Sequence, residues 1–366
     1  MSIPSIAVIG AGGHGLWHRR RIAARAGQVR LTGLCDIAPV AAEPDAPIPD
    51  GTPVLTDHRE LLRVARPDIV VVCTPPHTHV PIAADALRAG ADLLLEKPPV
   101  TSLAEHRELT ALLAETGRSC QVNFQALGSP ALQRLRAAIA GGGLGESPSI
   151  GVAGAWRRPD AYYRRSAWAG RSTMDGRPSL DGALANPFAH AVMQALAVAG
   201  SGVPSGIEVE RYRARDIEVD DTACLRLTFD GGTTITIAVT LCGEDAKIEG
   251  GITVRGTKGE AFYEYPTDRL RLPGGEAEVV AGRVDLLDDL LAHRERGTPL
   301  LAPLSATEPF TAVIEAVAAA PVLSIPEKHV GRDGPFVTVG GVNAVVEAAA
   351  AEAALFSELP APWAIR

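Results

Sequence analysis

Residues 5–15 read SIAVIGAGGHG, a short apolar run that breaks into a glycine-rich turn. Gly10, Gly12 and Gly15 form G-x-G-x-x-G with Gly13 and His14 inside it, and residues 14–27 suit a helix. The next strand, LTGLCD at 31–36, ends on Asp36, 21 residues beyond Gly15. Strand, glycine turn, helix and spaced acid in that order point to a dinucleotide site. Glycines let the backbone approach a pyrophosphate, the helix N-terminus presents free N–H groups and positive potential, and the carboxylate accepts from ribose hydroxyls. Because Asp36 would repel a 2′-phosphate, NAD is expected in preference to NADP.

The alternation of strand and helix continues outward from this turn. A Pro-rich loop at 38–53, longer than most connections and without an evident role, leads to a brief strand at Val54 and Leu55. Asp57 and Glu60 have capping-box spacing ahead of a helix that ends near Pro67. DIVVVCT at 68–74 is apolar without alternation, as in a parallel strand covered on both faces. A helix over 80–90, the strand DLLLE, a helix from Ser102 to 116 and the strand SCQVNF complete the pattern. These elements specify an α/β fold with an N-terminal Rossmann-type doubly wound parallel sheet over residues 1–126.

Beyond this the texture changes. Residues 207–265 alternate in long stretches such as ACLRLTFDGGTTITIAVTL, where DGG marks a tight hairpin. Residues 127–366 are therefore expected to form an α+β domain with a large, mostly antiparallel sheet for substrate binding and oligomerisation. Helices are expected at 130–140, 183–199, 282–296 and 341–357, the last packing back near the first domain. An open face of the sheet would pair subunits into a homodimer or homotetramer.

Composition narrows the function classes. The chain has 366 residues, 46% of them hydrophobic and 21% charged, which fits about two domains. A formal charge of −8 argues against nucleic acid or anionic membrane as partner, because such binding rests on a basic surface. The five cysteines are widely spaced without a metal-ligand pattern, so no metal is expected and they read as reduced thiols of a cytoplasmic protein. The start of the chain lacks a basic leader, and no apolar run reaches the roughly 18 residues of a membrane span.

In DLLLEKPPV, residues 92–100, a buried strand runs straight into Glu96, Lys97 and two prolines. Ligands of doubly wound sheets sit beyond the carboxyl ends of the strands, so Lys97 is expected to point into the cofactor crevice. Beside a positive nicotinamide ring its charged form is disfavoured, which suits it to proton transfer.

GAGGHG, CTPPHTHVPIAADALRAG and EKP, followed by an antiparallel second domain, together resemble the glucose-fructose oxidoreductase and inositol dehydrogenase family, Gfo/Idh/MocA. The resemblance covers nearly the whole chain. It implies a dehydrogenase that transfers a hydride between NAD(P) and a secondary alcohol carbon of a sugar or polyol. It further implies that Thr74, Pro75, His79 and Glu96 lie along the cofactor and that Lys97 contacts both cofactor and substrate hydroxyl; His77 is given no role.

The family's second catalytic element is a helix with an Asp and a His four residues apart. In LDGALANPFAH the matching positions are Asn186 and His190, so the histidine is present and the aspartate is not. Asn186 can orient an imidazole but cannot supply the charge that stabilises its cation. The preceding WRRPDAYYRRSAWAG, residues 156–170, resembles a subset of the family that also carries Asn there. Tyr163 and Trp168 are expected to wall the substrate, and Arg164 to pair with a carboxylate or phosphate. Alternatives from the same fold are a redox-cycling glycosidase, compatible with the Asn186 and aromatic-loop features, and a non-catalytic nucleotide-binding sensor.

Overall fold

The apolar runs of the first third all become parallel strands. In the computed structural model, which describes residues 3–146, 149–174, 176–200 and 202–364, β1 (Ser5–Ile9) leads into α1 (Gly15–Ala23) and β2 (Arg30–Cys35). There follow β3 (Val54–Leu55), α2 (His58–Ala65), β4 (Ile69–Val72), α3 (His79–Arg88), β5 (Asp92–Leu95), α4 (Leu103–Thr116) and β6 (Cys120–Val122). The sheet order is β3-β2-β1-β4-β5-β6, the doubly wound arrangement whose direction reverses between β1 and β4. Val70, Val71 and Val72 are fully buried, as their lack of alternation requires. The expected caps form: Asp57 accepts from Arg59 N–H, and Ser102 from Glu105 N–H. Helix α1 stops at Ala23, short of the expected residue 27, because Ala26 instead bridges to Val29 ahead of β2.

The second body contains α5 (Pro130–Ala140), β7 (Ser149–Ala155), the small hairpin β8 (Thr173–Met174) and β9 (Arg177–Pro178), and α6 (Ala189–Ala199). Its sheet continues through β10 (Gly206–Arg213), β11 (Thr222–Thr228), β12 (Thr234–Thr240), β13 (Ile248–Gly256), β14 (Gly259–Glu264), β15 (Arg269–Arg271) and β16 (Glu278–Val279). After α7 (Leu286–Arg296) come α8 (Glu308–Ala319), β17 (Val322–Ser324), the hairpin β18 (Val330–Asp333) and β19 (Phe336–Val339), and α9 (Val342–Glu352). Nine strands pair in the order β16-β15-β14-β13-β7-β12-β11-β10-β17, antiparallel except for β7 with β12 and β10 with β17.

The chain divides into two units, Met1–Phe124 with Leu286–Thr307, and Gln125–Asp285 with Glu308–Arg366. The expected single cut near residue 126 therefore needs a correction, because α7 and the segment after it return to the first unit. Arg25 Nη2 reaches Asp288 Oδ2 at 2.7 Å, Gln121 Nε2 reaches Asp289 Oδ2 at 2.6 Å, and Val122 N–H donates to Ala302 O at 2.8 Å. The last bond extends β6 with backbone from far along the chain.

Helix α9 also departs from expectation: it lies on β7 and β12 of the second unit's own sheet. Gly151 permits this, since a Cβ there would sit 2.1 Å from Ala350 O, while one at Gly154 would sit 2.3 Å from Phe188 Cε1 at the start of α6. Residues an odd number apart on a strand face opposite sides, so α9 and α6 cover the two faces of β7. On the α9 side, Tyr212, Cys224 and Ala238 are buried under Val342, Val346, Phe356 and Trp363. The open face on which subunit pairing was expected is thus occupied there by the chain's own C-terminal segment.

Candidate cofactor site and second-domain cluster

The glycine turn sits at the carboxyl end of β1, beside the sheet's reversal point. Its glycines answer to close packing: a Cβ at Gly10 would lie 2.3 Å from Cys73 O, and one at Gly15 only 1.8 Å from Gly10 O. Asp36, one residue past β2, accepts from Gly12 N–H at 2.8 Å through Oδ2 and from Ala38 N–H at 2.9 Å through Oδ1. Two amide bonds leave lone pairs on this half-buried carboxylate for ribose hydroxyls. The first turn of α1 carries no acidic side chain of its own. A dinucleotide fits these groups.

Thr74 and Pro75 follow β4, Glu96 and Lys97 follow β5, and all four stand at the same edge of the sheet as the glycine turn. Lys97 is half-buried, its N–H bonds Glu96 Oε2 at 3.1 Å, and the Lys97–Pro98 peptide is cis. Thr74 Oγ1 accepts from Thr78 Oγ1 at 2.7 Å.

His79 does not line the cofactor surface. Its ring is fully buried, with Nε2 2.8 Å from Thr74 O and Nδ1 3.0 Å from Pro98 O. It ties the loop after β4 to the loop that carries Lys97. Burial pushes its pKa down, and a neutral ring can donate to only one of the two carbonyls at a time.

Glu96 is likewise buried and acts from beneath. Its Oε1 receives His18 Nε2 at 2.7 Å and Asn123 Nδ2 at 2.6 Å, with His14 Nε2 at 3.4 Å. The donor atoms of His14, His18 and Glu96 lie within 4.8 Å of one another, a spacing a cation also accepts. Two hydrogen bonds already occupy Oε1, however, and His14 stacks on Trp17 with ring centroids 5.4 Å apart, so the arrangement is complete as an ion-pair network.

This network has a pH signature. Burial opposes ionisation of Glu96, but hydrogen bonds from His14 and His18 outweigh it and hold the carboxyl well below its ordinary value. The bond to Glu96 raises His14 above its ordinary 6.5 against partial burial. A raised histidine stabilises the fold fully below its unfolded value and loses that contribution as pH rises through its folded value. The depressed carboxylate stabilises above the ordinary 4.5 and loses that contribution as pH falls through its folded value. The difference in melting temperature between the wild type and His14→Gln is therefore expected to peak between those ordinary values and to shrink toward alkaline pH. A difference constant with pH would rule out the charged pair.

In the second unit, α6 begins at Ala189 rather than at 183, so Asn186 is not on the helix with His190. Gly182 at φ 110° and the wide turn closed by Phe188 N–H to Ala183 O, 3.0 Å, hold residues 183–188 outside helical geometry. His190 stands in the first turn of α6, half-buried, with its ring centroid 5.6 Å from that of Tyr265. Asp181, five residues before Asn186, is buried and accepts from Asn186 Nδ2 at 3.0 Å and from Gly170 N–H at 2.7 Å. Asp181 escaped the sequence reading because a five-residue offset has no meaning until the turn is known.

Trp168 and Tyr162 sandwich the Arg165 guanidinium, at 4.7 and 3.8 Å from their centroids. Tyr163 is half-buried beneath Arg215, which lies 5.1 Å from its ring centroid, and burial pushes its phenol pKa up. Tyr163 and Arg164 line a cavity of about 600 Å³, which Arg213 and Arg215 also border.

Comparison with known proteins accounts for both units. The model of the oxidoreductase family with an NAD-binding Rossmann fold matches residues 5–124, and that of the GFO/IDH/MocA C-terminal domain matches residues 132–262. Inositol 2-dehydrogenase of Rubrobacter xylanophilus is 30% identical over 142 residues, 38% of this chain and 41% of that protein. D-Glucoside 3-dehydrogenase of Escherichia coli is 28% identical over 146 residues, 38% of this chain and 40% of that protein. The matches thus span about two fifths of these relatives. The WlbA dehydrogenase of Bordetella pertussis, solved with NADH and UDP-GlcNAcA, shares the fold with a TM-score of 0.72 at 23% identity, covering 87% of this chain and 97% of that one. The chain belongs to the GFO/IDH/MocA oxidoreductase family, with the NAD-binding Rossmann domain at its N-terminus.

Proposed function

We propose that the protein is an NAD-dependent oxidoreductase acting on a secondary alcohol carbon of a sugar, polyol or sugar derivative. The observation that supports this most is Lys97, half-buried after β5 at the sheet edge that carries the glycine turn and Asp36. When bound, NAD supplies the hydride acceptor. The glycine turn and the N-terminus of α1 hold its pyrophosphate, and Asp36 holds a ribose. Lys97 takes the hydroxyl proton, with His190 as the second group of the relay. Asn186, oriented by Asp181, is a substrate-binding residue, as are Tyr163, Arg164 and Trp168.

The test is NADH absorbance with purified protein and NAD, challenged with hexoses, inositols, uronic acids, amino sugars and simple glycosides. Saturable net reduction with one of them is expected and would name the substrate class. Glycoside cleavage without net NADH would replace the dehydrogenase by a redox-cycling hydrolase. Cofactor binding with neither outcome would leave a sensor.

A further inference from the structure

The cavity beside Tyr163 collects cationic groups from three separate parts of the second unit. Arg164 and Arg171 come from the segment after β7, Arg213 and Arg215 from the end of β10 and the loop beyond it, and Arg332 from β18. Five guanidinium groups face three carboxylates, Asp160, Asp216 and Glu218, in a protein whose net charge is −8. The local sign is opposite to the global one. Isolated surface arginines need no ligand, so what matters is which donors the protein itself uses.

Most of the arginines are engaged. Arg171 pairs with Glu218 at 2.6 Å, Arg332 with Asp160 at 3.4 Å, Arg215 donates to Arg158 O at 2.6 Å, and Arg213 donates to Ile217 O. Arg164 is exposed and bonds none of the described residues. The buried Ser166 Oγ and Tyr163 Oη likewise have no hydrogen-bond partner among the described residues. A ligand that supplies only acceptor oxygens and negative charge matches this set.

We propose that this cavity binds the oxyanion, carboxylate or phosphate, of an anionic sugar derivative, with Arg164 as its principal charge partner and Ser166 as a neutral donor. The proposal deepens the reading above, on which it rests for the sugar part of the ligand. A guanidinium fork recognises either group through paired hydrogen bonds, so the two sources must be separated by experiment.

The NAD-saturated full chain would be titrated calorimetrically with D-glucuronate, D-glucose 6-phosphate and D-glucose. One charged sugar is expected to bind about tenfold or more tightly than glucose, the scale of one charge-assisted hydrogen bond. Preference for glucuronate assigns a carboxylate, and preference for the phosphate ester a phosphoryl group. Arg164→Gln is expected to abolish the preference with an unchanged melting temperature, since the side chain bonds no described residue, and Ser166→Ala to reduce it less. No preference for either charged sugar, or a preference that survives Arg164→Gln, overturns the proposal. NADH formation from a neutral alcohol with no anion preference would remove the anion site and keep the oxidoreductase. Anion binding with no hydride transfer from any alcohol would do the reverse.

Discussion

Lys97→Met is expected to lower turnover by about 10²- to 10⁴-fold, the usual contribution of a positioned acid–base group, while NAD binding survives. Methionine keeps an unbranched chain of similar reach but carries no proton. The residues proposed to hold the dinucleotide, Asp36 and the glycine turn, are untouched by the change, so quenching or enhancement of NADH fluorescence should still titrate. Lys97→Arg separates proton transfer from charge, because a guanidinium is not deprotonated in proteins. It is expected to remain as slow as the methionine variant. Near-wild-type turnover in either variant would falsify the assignment of Lys97 as proton carrier.

The second large effect is on stability. Trp363→Ala is expected to cost about 3–5 kcal/mol, as for other fully buried aromatics. Trp363 is fully buried, with ring centroids 5.1 Å from Phe356 and 5.7 Å from Tyr212. Its removal leaves a cavity between the C-terminal segment and the sheet, where the Tyr212 ring on β10 cannot move in without dragging strand backbone. Urea denaturation followed on the second unit's transition would measure the loss. A change below about 1 kcal/mol, typical of a surface site, would mean that the C-terminal segment contributes little to the fold.

The dinucleotide half was legible because its signals are local. Gly10, Gly12, Gly15 and Asp36 lie within one strand–turn–helix–strand unit, where covalent spacing nearly dictates spatial spacing. The strand end at Glu96 and Lys97 was legible for the same reason, since apolar strand residues followed by charges and prolines mark it, but the burial of Glu96 under His14, His18 and Asn123 was not. His79 was misplaced as a cofactor contact because sequence does not say which side of a loop a ring occupies. The structure turns it inward, between Thr74 O and Pro98 O, where it braces the lysine's loop.

In the second unit, local pattern gave the strands but not where α6 begins. Asn186 and His190 look like one helical face until Gly182 and the turn after it delay α6 to Ala189. Asn186 Nδ2 instead donates to the buried Asp181, five residues earlier, at 3.0 Å. The Pro-rich loop at 38–53 acquires at least a structural tie: Arg19, buried in α1, donates to Ala41 O at 2.8 Å and Ala46 O at 2.9 Å.

By itself, then, the sequence determined the parallel sheet, the glycine turn between β1 and α1 and the position of Lys97 just after β5, all of which follow from periodicity and short-range spacing. Only the tertiary structure decided that α7 returns to the first unit, that α9 and Trp363 close a sheet face and that Arg164, Arg213 and Arg332 border one cavity. Most of those contacts join residues more than a hundred positions apart. Their partners are chosen by burial and charge neutralisation in three dimensions, which no local pattern encodes.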